Sequence, residues 1–189
     1  LGEAFDKTAK LLGIEFPGGP QIEILAKKGN PHKYELPKPI INKGGCNLSF
    51  AGLKTAVLRI SKNIKTEQEK FDLAASFQNT VEEILYKKTK TAFTEFEKQN
   101  NLSKKIFVVA GGVAANKKIR SMLINLCKEK NYQSTFPPAE LCGDNAAMIA
   151  MVGLEKFKLK KFCNLDYPAK PRWPLDENAP FLKGRLVKF

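Results

Sequence analysis

A chain of 189 residues can form one domain of moderate size or one lobe of a larger protein. Hydrophobic residues make up 43% of it and charged residues 27%, which is typical of a globular protein and does not indicate disorder. The net charge of +13 favours a polyanionic partner, nucleic acid first, although a lysine-rich proteome would give the same charge without any such partner.

The cysteines and the single histidine limit the metal and redox chemistry of the chain. No two of the four cysteines form a C-x-x-C pair, so neither a zinc site nor a redox pair is indicated. Scattered thiols are typical of a reducing compartment, so a cytoplasmic protein is predicted. The longest apolar stretch, 146–152, is too short to span a bilayer, and no membrane partner is expected. His32 lies in a turn-like stretch and cannot build a two-histidine site alone.

The first half of the chain is predicted to be mainly helical. A helical pattern with an apolar stripe at Ala4, Phe5, Ala9 and Leu12 begins at the first residue, which is typical of a truncated or split chain. Gly13 is a plausible end of this helix. The stretch 16–20 reads as a rigid turn, and Thr66 to Glu69 form a capping-box pattern that opens a long helix. The predicted helices span 1–12, 21–28, 53–60 and 67–98, and strand-like stretches lie at 38–41 and 48–50.

The second half alternates strands with helices. The run 106–109 is predicted to be a buried strand that leads through two glycines into a helix after Asn116. A strand is predicted at 133–136, followed by an apolar helix at 145–154 that is expected to be buried between layers. An edge strand is predicted at 185–189. This alternation predicts an α/β fold in which helices pack on a mixed sheet, within a single domain covering 1–189.

Two glycines and an asparagine between the strand and the helix suit a nucleotide. Gly111 and Gly112 would let backbone N–H groups approach a phosphate, and the following helix start carries partial positive charge. The alternative is that the glycines only turn a corner. Asn116 likewise either contacts a nucleotide or only caps the helix. The residues alone leave both alternatives open.

Two acidic residues allow the same choice between function and local structure. Asp144, at the head of the helix 145–154, would hold a cation, or it would only be stabilised by the helix macrodipole. Asp6 would be a binding residue or an exposed partner of Lys10 one helical turn away. The glycines of the 16–20 turn permit close approach of a sugar or base, or they only form the turn.

Four strings of residues, in this order and spacing, resemble the tRNA N6-adenosine threonylcarbamoyltransferase family, formerly called glycoprotease or O-sialoglycoprotein endopeptidase. The match runs from Leu1 to about Gly153. The strings are GEAFDK with LLG and PGGP (2–20), SFAGLKTAV (49–57), GGVAAN (111–116), and FPP (136–138) with CGDNAAMIA (142–150).

The resemblance implies one lobe of an actin-like ATPase fold of the Hsp70/hexokinase type, here the C-terminal lobe, without the N-terminal lobe. It implies transfer of a threonylcarbamoyl group from threonylcarbamoyl-adenylate to N6 of the adenosine 3′ of the anticodon in tRNA, with companion proteins of the tRNA threonylcarbamoylation complex. One iron or zinc ion is implied, held in the family by two histidines and by an aspartate that matches Asp144. The residues that match nucleoside contacts are Asp6, Gly19 and Asn116, and Glu23 matches a further contact found in some branches of the family.

The chain departs from the family pattern in two ways. Gly143 stands where the common motif has a hydroxyl residue, and Ala51 stands where serine is frequent. The histidine pair is missing, so this chain alone is expected to be inactive, and no catalytic residue is assigned. The competing hypothesis is a non-catalytic fragment or a partner- or nucleotide-binding module that has lost activity with its N-terminal lobe. A peptidase is not supported, since the chain has neither an HExxH helix nor a Ser/His pair.

Overall fold

The computed structural model describes residues 1–166 and 168–169. It divides into two compact units, of which the first is Leu1–Asn145 and the second begins at Ala146. The helices and strands of the described residues are α1 (Gly2–Leu11), α2 (Gly18–Ala26), α3 (Ala51–Ser61), α4 (Glu67–Gln99), β1 (Ile106–Val108), a 3-10 turn (Gly112–Ala115), α5 (Lys117–Glu129), β2 (Gln133–Thr135), α6 (Ala139–Cys142) and α7 (Ala146–Lys158).

The long helix α4 is the centre of the first unit. Its predicted capping box is confirmed, since the Thr66 side chain accepts a hydrogen bond from the Glu69 amide and the Glu69 carboxylate accepts one from the Thr66 amide. Helices α2, α3 and α5 pack against it, and α1 packs on α2 and α3. Phe77 of α4 is fully buried and meets Phe5 of α1 edge to face at 5.1 Å. The helices predicted for the first half are therefore confirmed, with boundaries shifted by a few residues.

The sheet of the first unit is a parallel pair connected through α5. Ile106 pairs with Gln133, Phe107 with Ser134 and Val108 with Thr135. The α/β class is confirmed, but the described residues contain only these two strands and no mixed sheet. The prediction that 106–109 is buried is wrong. Alternate side chains point to opposite faces. Phe107 and Val109 pack against the helical core, whereas Ile106 is 52% and Val108 62% exposed.

The strand-like stretches at 38–41 and 48–50 are not strands. Residues 39–42 form turns, and Ile40 has a φ of 51°, a left-handed conformation that no strand adopts. The chain from Lys43 to Gly45 is instead held by Lys88 of α4. That lysine is 3% exposed, and its ammonium donates to the carbonyl oxygens of Lys43 at 2.7 Å and Gly45 at 3.2 Å. A buried side chain of α4 thus holds the loop that connects these two stretches.

Helix α7 confirms the predicted helix at 145–154 but not its burial. None of its thirteen residues is buried, and Ile149, Met151 and Phe157 are more than half exposed. Burial of an apolar helix depends on what packs over it, which the sequence of the helix does not specify. Across the described residues, no helix is both long and apolar enough to cross a membrane. The predicted edge strand at 185–189 lies outside the residues that the structure describes.

Candidate functional site

A cavity of about 600 Å³ lies in the first unit, where four separate segments meet. The segments are α1, the turn that leads into α2, the 3-10 turn before α5, and the stretch 139–144. Six of the seven residues predicted to bind a ligand line this cavity, and Gly111 directly precedes a lining residue. The six are Asp6, Gly19, Glu23, Gly112, Asn116 and Asp144.

Asp6 is fixed by the glycine that begins α2. Its Oδ1 accepts a hydrogen bond from the Gly18 amide at 3.1 Å, and no ion pair to Lys10 is found among the described residues. A Cβ at Gly18 would lie 2.6 Å from Ala9 Cβ and 2.8 Å from Asp6 Cα, so glycine is required there. A Cβ at Gly19 would meet nothing within 4 Å. Gly18 therefore serves packing, whereas Gly19 leaves open space at the cavity.

Asn116 is both a helix cap and a cavity residue. It is 8% exposed, and its Oδ1 accepts a hydrogen bond from the Ile119 amide at 3.0 Å, which confirms the predicted N-cap. Its Nδ2 donates to Gln78 Oε1 at 3.0 Å. A carboxamide has a second N–H and further lone pairs, so these two bonds leave capacity for a ligand. Capping and ligand contact do not exclude each other at this position.

Glu23 and the glycine pair complete that side of the cavity. Glu23 Oε1 accepts a hydrogen bond from the Lys117 amide at 2.9 Å and so joins α2 to the start of α5. Gly111 has a φ of 92°, which side chains disfavour, so it turns the corner after β1. A 3-10 turn that begins at Gly112 then separates the glycines from α5, which the sequence did not predict.

Asp144 lines the same cavity from the stretch that follows α6, and it is exposed. Within the described residues its carboxylate makes neither a hydrogen bond nor an ion pair, so no capping hydrogen bond is found for it. No three histidine, cysteine, aspartate or glutamate side chains of the described part of the chain cluster as a metal site would require. The described residues therefore offer one free carboxylate and not a complete metal site.

A family model described as TsaD, tRNA N6-adenosine threonylcarbamoyltransferase, matches residues 1–151. The chain belongs to the TsaD family. It is 77% identical over 188 residues to the tRNA N6-adenosine threonylcarbamoyltransferase of Pelagibacter ubique (strain HTCC1062), covering all of this chain and 53% of that protein. The proteins of the same name from Rickettsia rickettsii (strain Sheila Smith) and Rickettsia bellii (strain OSU 85-389) are 51% and 49% identical, each covering 94% of this chain and 52% of the relative. The chain thus spans about half the length of these curated relatives.

The departure from the TsaD pattern at Gly143 is not a steric requirement. A Cβ at this cavity residue would meet nothing within 4 Å, and its backbone φ is −80°. A hydroxyl residue would therefore fit in the same backbone. Ala51, at the second departure, is the exposed first residue of α3 and does not line the cavity.

Two further residues of the site were missed by sequence reasoning. Gln78 is 6% exposed and orients the carboxamide of Asn116 from α4. The signal available was a polar side chain at a buried helical position, beside Phe77. Glu140 lines the cavity four residues before Asp144. A lone acid in a four-residue helix gave no signal by itself.

The described residues contain another, more open cavity of about 950 Å³ along the outer side of α4. Lys38, Glu82, Tyr86 and Met122 are among its lining residues, and none of the predicted binding residues belongs to it. Burial raises the pKa of Glu82, and the nearby Lys118 ammonium partly opposes this effect. Charges of both signs line the groove, and no TsaD motif residue reaches it.

Proposed function

We propose that the 600 Å³ cavity binds the nucleoside part of an adenylate in a tRNA-modifying transferase. The reaction is transfer of the threonylcarbamoyl group from threonylcarbamoyl-adenylate to N6 of the adenosine 3′ of the anticodon in tRNA. The observation that carries the proposal is the convergence of Asp6, Gly19, Glu23 and Asn116 on one cavity. Membership of the TsaD family supports it, and the relatives' shared name does not favour a fragment that has lost activity.

Each polar residue keeps bonding capacity for the nucleoside. Asp6 and Glu23 each use one carboxylate oxygen on a backbone amide, so the other oxygen can accept a hydrogen bond from a ribose hydroxyl. The free N–H of Asn116 can donate to a ligand oxygen or ring nitrogen. The open space at Gly19 admits the sugar or base close to the backbone, and Gly112 allows the same at an anionic group.

The proposal includes a metal-binding role for Asp144, for which the described residues supply only part of the ligand set. Iron and zinc sites need further ligands, and the described residues gather no such cluster around Asp144. One carboxylate alone binds a divalent ion weakly, so we assign Asp144 one coordination position in a site completed by other groups.

The contribution of this chain to the reaction is positioning. The attacking group is the exocyclic amine of adenosine, and holding it against the carbamoyl carbon of a bound adenylate supplies a large part of the rate. We assign the chain to the C-terminal lobe of an actin-like fold, with tRNA and the companion proteins of the threonylcarbamoylation complex as partners. Its net charge of +13 favours contact with tRNA phosphates.

The test is binding of adenosine monophosphate to the full-length natural protein by isothermal titration calorimetry. Asp6→Ala and Asn116→Ala are each expected to weaken binding about tenfold or more, because each removes hydrogen bonds to the ligand. Asn63→Ala, at an exposed position just after α3, is the control and should bind as the wild type does. Equal affinity of the wild type and both cavity variants would refute the proposal.

A further inference from the structure

Arg120 of α5 connects two neighbouring segments that both line the cavity, the 3-10 turn and the stretch that leads into α6. Its Nε donates to the carbonyl oxygen of Ala114 at 2.9 Å, within the 3-10 turn. Its Nη2 donates to the carbonyl oxygen of Pro137 at 3.0 Å, just before α6. One guanidinium thus bonds the backbone of both segments, although Arg120 does not itself line the cavity.

The guanidinium is enclosed by the second of these segments. Its carbon lies 4.8 Å from the centre of the Phe136 ring, at cation–π distance. Nη2 also lies 3.5 Å from the sulfur of Cys142, which is 3% exposed and whose thiol donates to the Pro137 carbonyl at 3.7 Å. Arg120 forms no ion pair within the described residues, and its guanidinium interacts instead with backbone carbonyls, an aromatic ring and a thiol.

The tethered segments carry the residues that would contact different parts of an adenylate. The 3-10 turn leads directly to Asn116, and the stretch that begins at Pro137 carries Glu140 and Asp144. We infer that Arg120 is a positioning residue that fixes these two segments relative to each other, and so the shape of the site for a nucleotide. This inference rests on the proposed function of the cavity. Arg120 acts through the backbone of both segments and touches no ligand.

The geometry requires arginine rather than any cation. The two bonds leave the guanidinium from different nitrogens, and its carbon lies 4.8 Å from the centre of the Phe136 ring. An ammonium is a compact charge on a flexible stem and cannot reproduce this planar fork. Arg120→Lys therefore keeps the charge and removes the tether, which makes it the informative variant. Lys128→Ala, which removes an exposed cation near the end of the same helix, is the matched control.

The test measures alkylation of individual cysteines by iodoacetamide in the full-length natural protein, with peptide mass spectrometry. Loss of the two hydrogen bonds should raise the labelling rate of Cys142 about tenfold or more in Arg120→Lys. Cys127, buried elsewhere on α5, should stay protected, which reports that the fold is intact. Saturating adenosine monophosphate should slow Cys142 labelling again, and Arg120→Lys should bind this nucleotide about tenfold more weakly than the wild type does.

Each outcome supports or overturns the inference that Arg120 holds the two segments in position. Unchanged labelling of Cys142 in Arg120→Lys would overturn the inference, and so would an equal rise at Cys127, because the role would then be general stability. Wild-type affinity of Arg120→Lys for the nucleotide would overturn it while leaving the proposed function standing. If the wild type binds no nucleotide, the proposed function fails, and Cys142 labelling still decides whether Arg120 holds the two segments together.

Discussion

Alanine substitutions at two adjacent glycines at the start of α2 distinguish an effect on packing from an effect on nucleotide binding. Gly18→Ala places a methyl group 2.6 Å from Ala9 Cβ and 2.8 Å from Asp6 Cα. Gly19→Ala places the same methyl group in open space on the cavity side. The two variants therefore make the same chemical change one residue apart, with opposite expectations for stability and for nucleotide binding.

The magnitude follows from what the new methyl group meets. Ala9 Cβ and Asp6 Cα belong to α1 and cannot move without shifting that helix, so we expect Gly18→Ala to lower the free energy of unfolding by about 3 kcal/mol, the upper part of the range for overpacking. Gly19→Ala meets no atom and restricts the unfolded chain, so it should change stability by less than about 1 kcal/mol, in the stabilising direction. A methyl group at the nucleoside position should nevertheless weaken binding of adenosine monophosphate about tenfold or more.

Urea unfolding followed by far-UV circular dichroism measures the first quantity, and calorimetric titration with adenosine monophosphate measures the second. A lowered urea midpoint is expected only for Gly18→Ala. A stable Gly18→Ala variant would refute the packing argument, because the contacts at Ala9 and Asp6 leave no room for relaxation at low cost. A Gly19→Ala variant with wild-type affinity would show that no ligand atom comes close to Gly19.

Two further predictions concern α4. Lys88→Met leaves two loop carbonyls without their buried donor and should lower the free energy of unfolding by about 1–3 kcal/mol. Lys87→Met removes only a solvent-exposed hydrogen bond to Asn42 and should change the free energy of unfolding by no more than about 0.5 kcal/mol. Equal urea midpoints for the two variants would contradict this. Hydrogen bonds from the Asn30 amide and from Gln68 hold the pKa of Asp72 below its ordinary 3.8. The stabilisation that ionised Asp72 provides is complete at pH values above the ordinary pKa and is lost as the pH falls through the lowered pKa of the folded protein. Asp72→Asn should therefore reduce the fall in the free energy of unfolding at acid pH, measured by urea unfolding at several pH values. An unchanged pH dependence would contradict the assignment.

The helices were predictable because their signals are local. The apolar spacing of α1, the capping box at Thr66 and the stop at Gly13, whose φ is 75°, all depend on neighbours within one or two turns. The errors concern long-range packing. The burial of β1 depends on which layer covers the face that carries Ile106 and Val108, and a run of apolar residues cannot report this.

The site was predictable only through the family motifs. Residue chemistry alone left Asn116 and Asp144 each divided between capping and binding, because both roles use the same atoms near a helix start. No local pattern relates Asp6 to either of them, and the cavity that they share exists only after α1, α2 and the 139–144 stretch have packed. Gln78 bonds the side chain of Asn116, and Arg120 bonds the carbonyl of Ala114. Neither residue belongs to a recognised motif, so sequence reasoning had no means to find them.

The same hydrogen bonds that hold the fold together also prepare the cavity for a ligand. Asp6, Glu23 and Asn116 each use one polar atom on a backbone amide, which fixes the side chain before any ligand arrives and leaves its remaining atoms available. Binding then does not have to restrict those rotamers, a cost of about 0.5–1.5 kcal/mol for each side chain that a flexible site would incur. Asp144 has no such restraint among the described residues. Under the proposed function, a bound ion would therefore orient this carboxylate, whereas the proposed nucleoside contacts are already oriented before the ligand arrives.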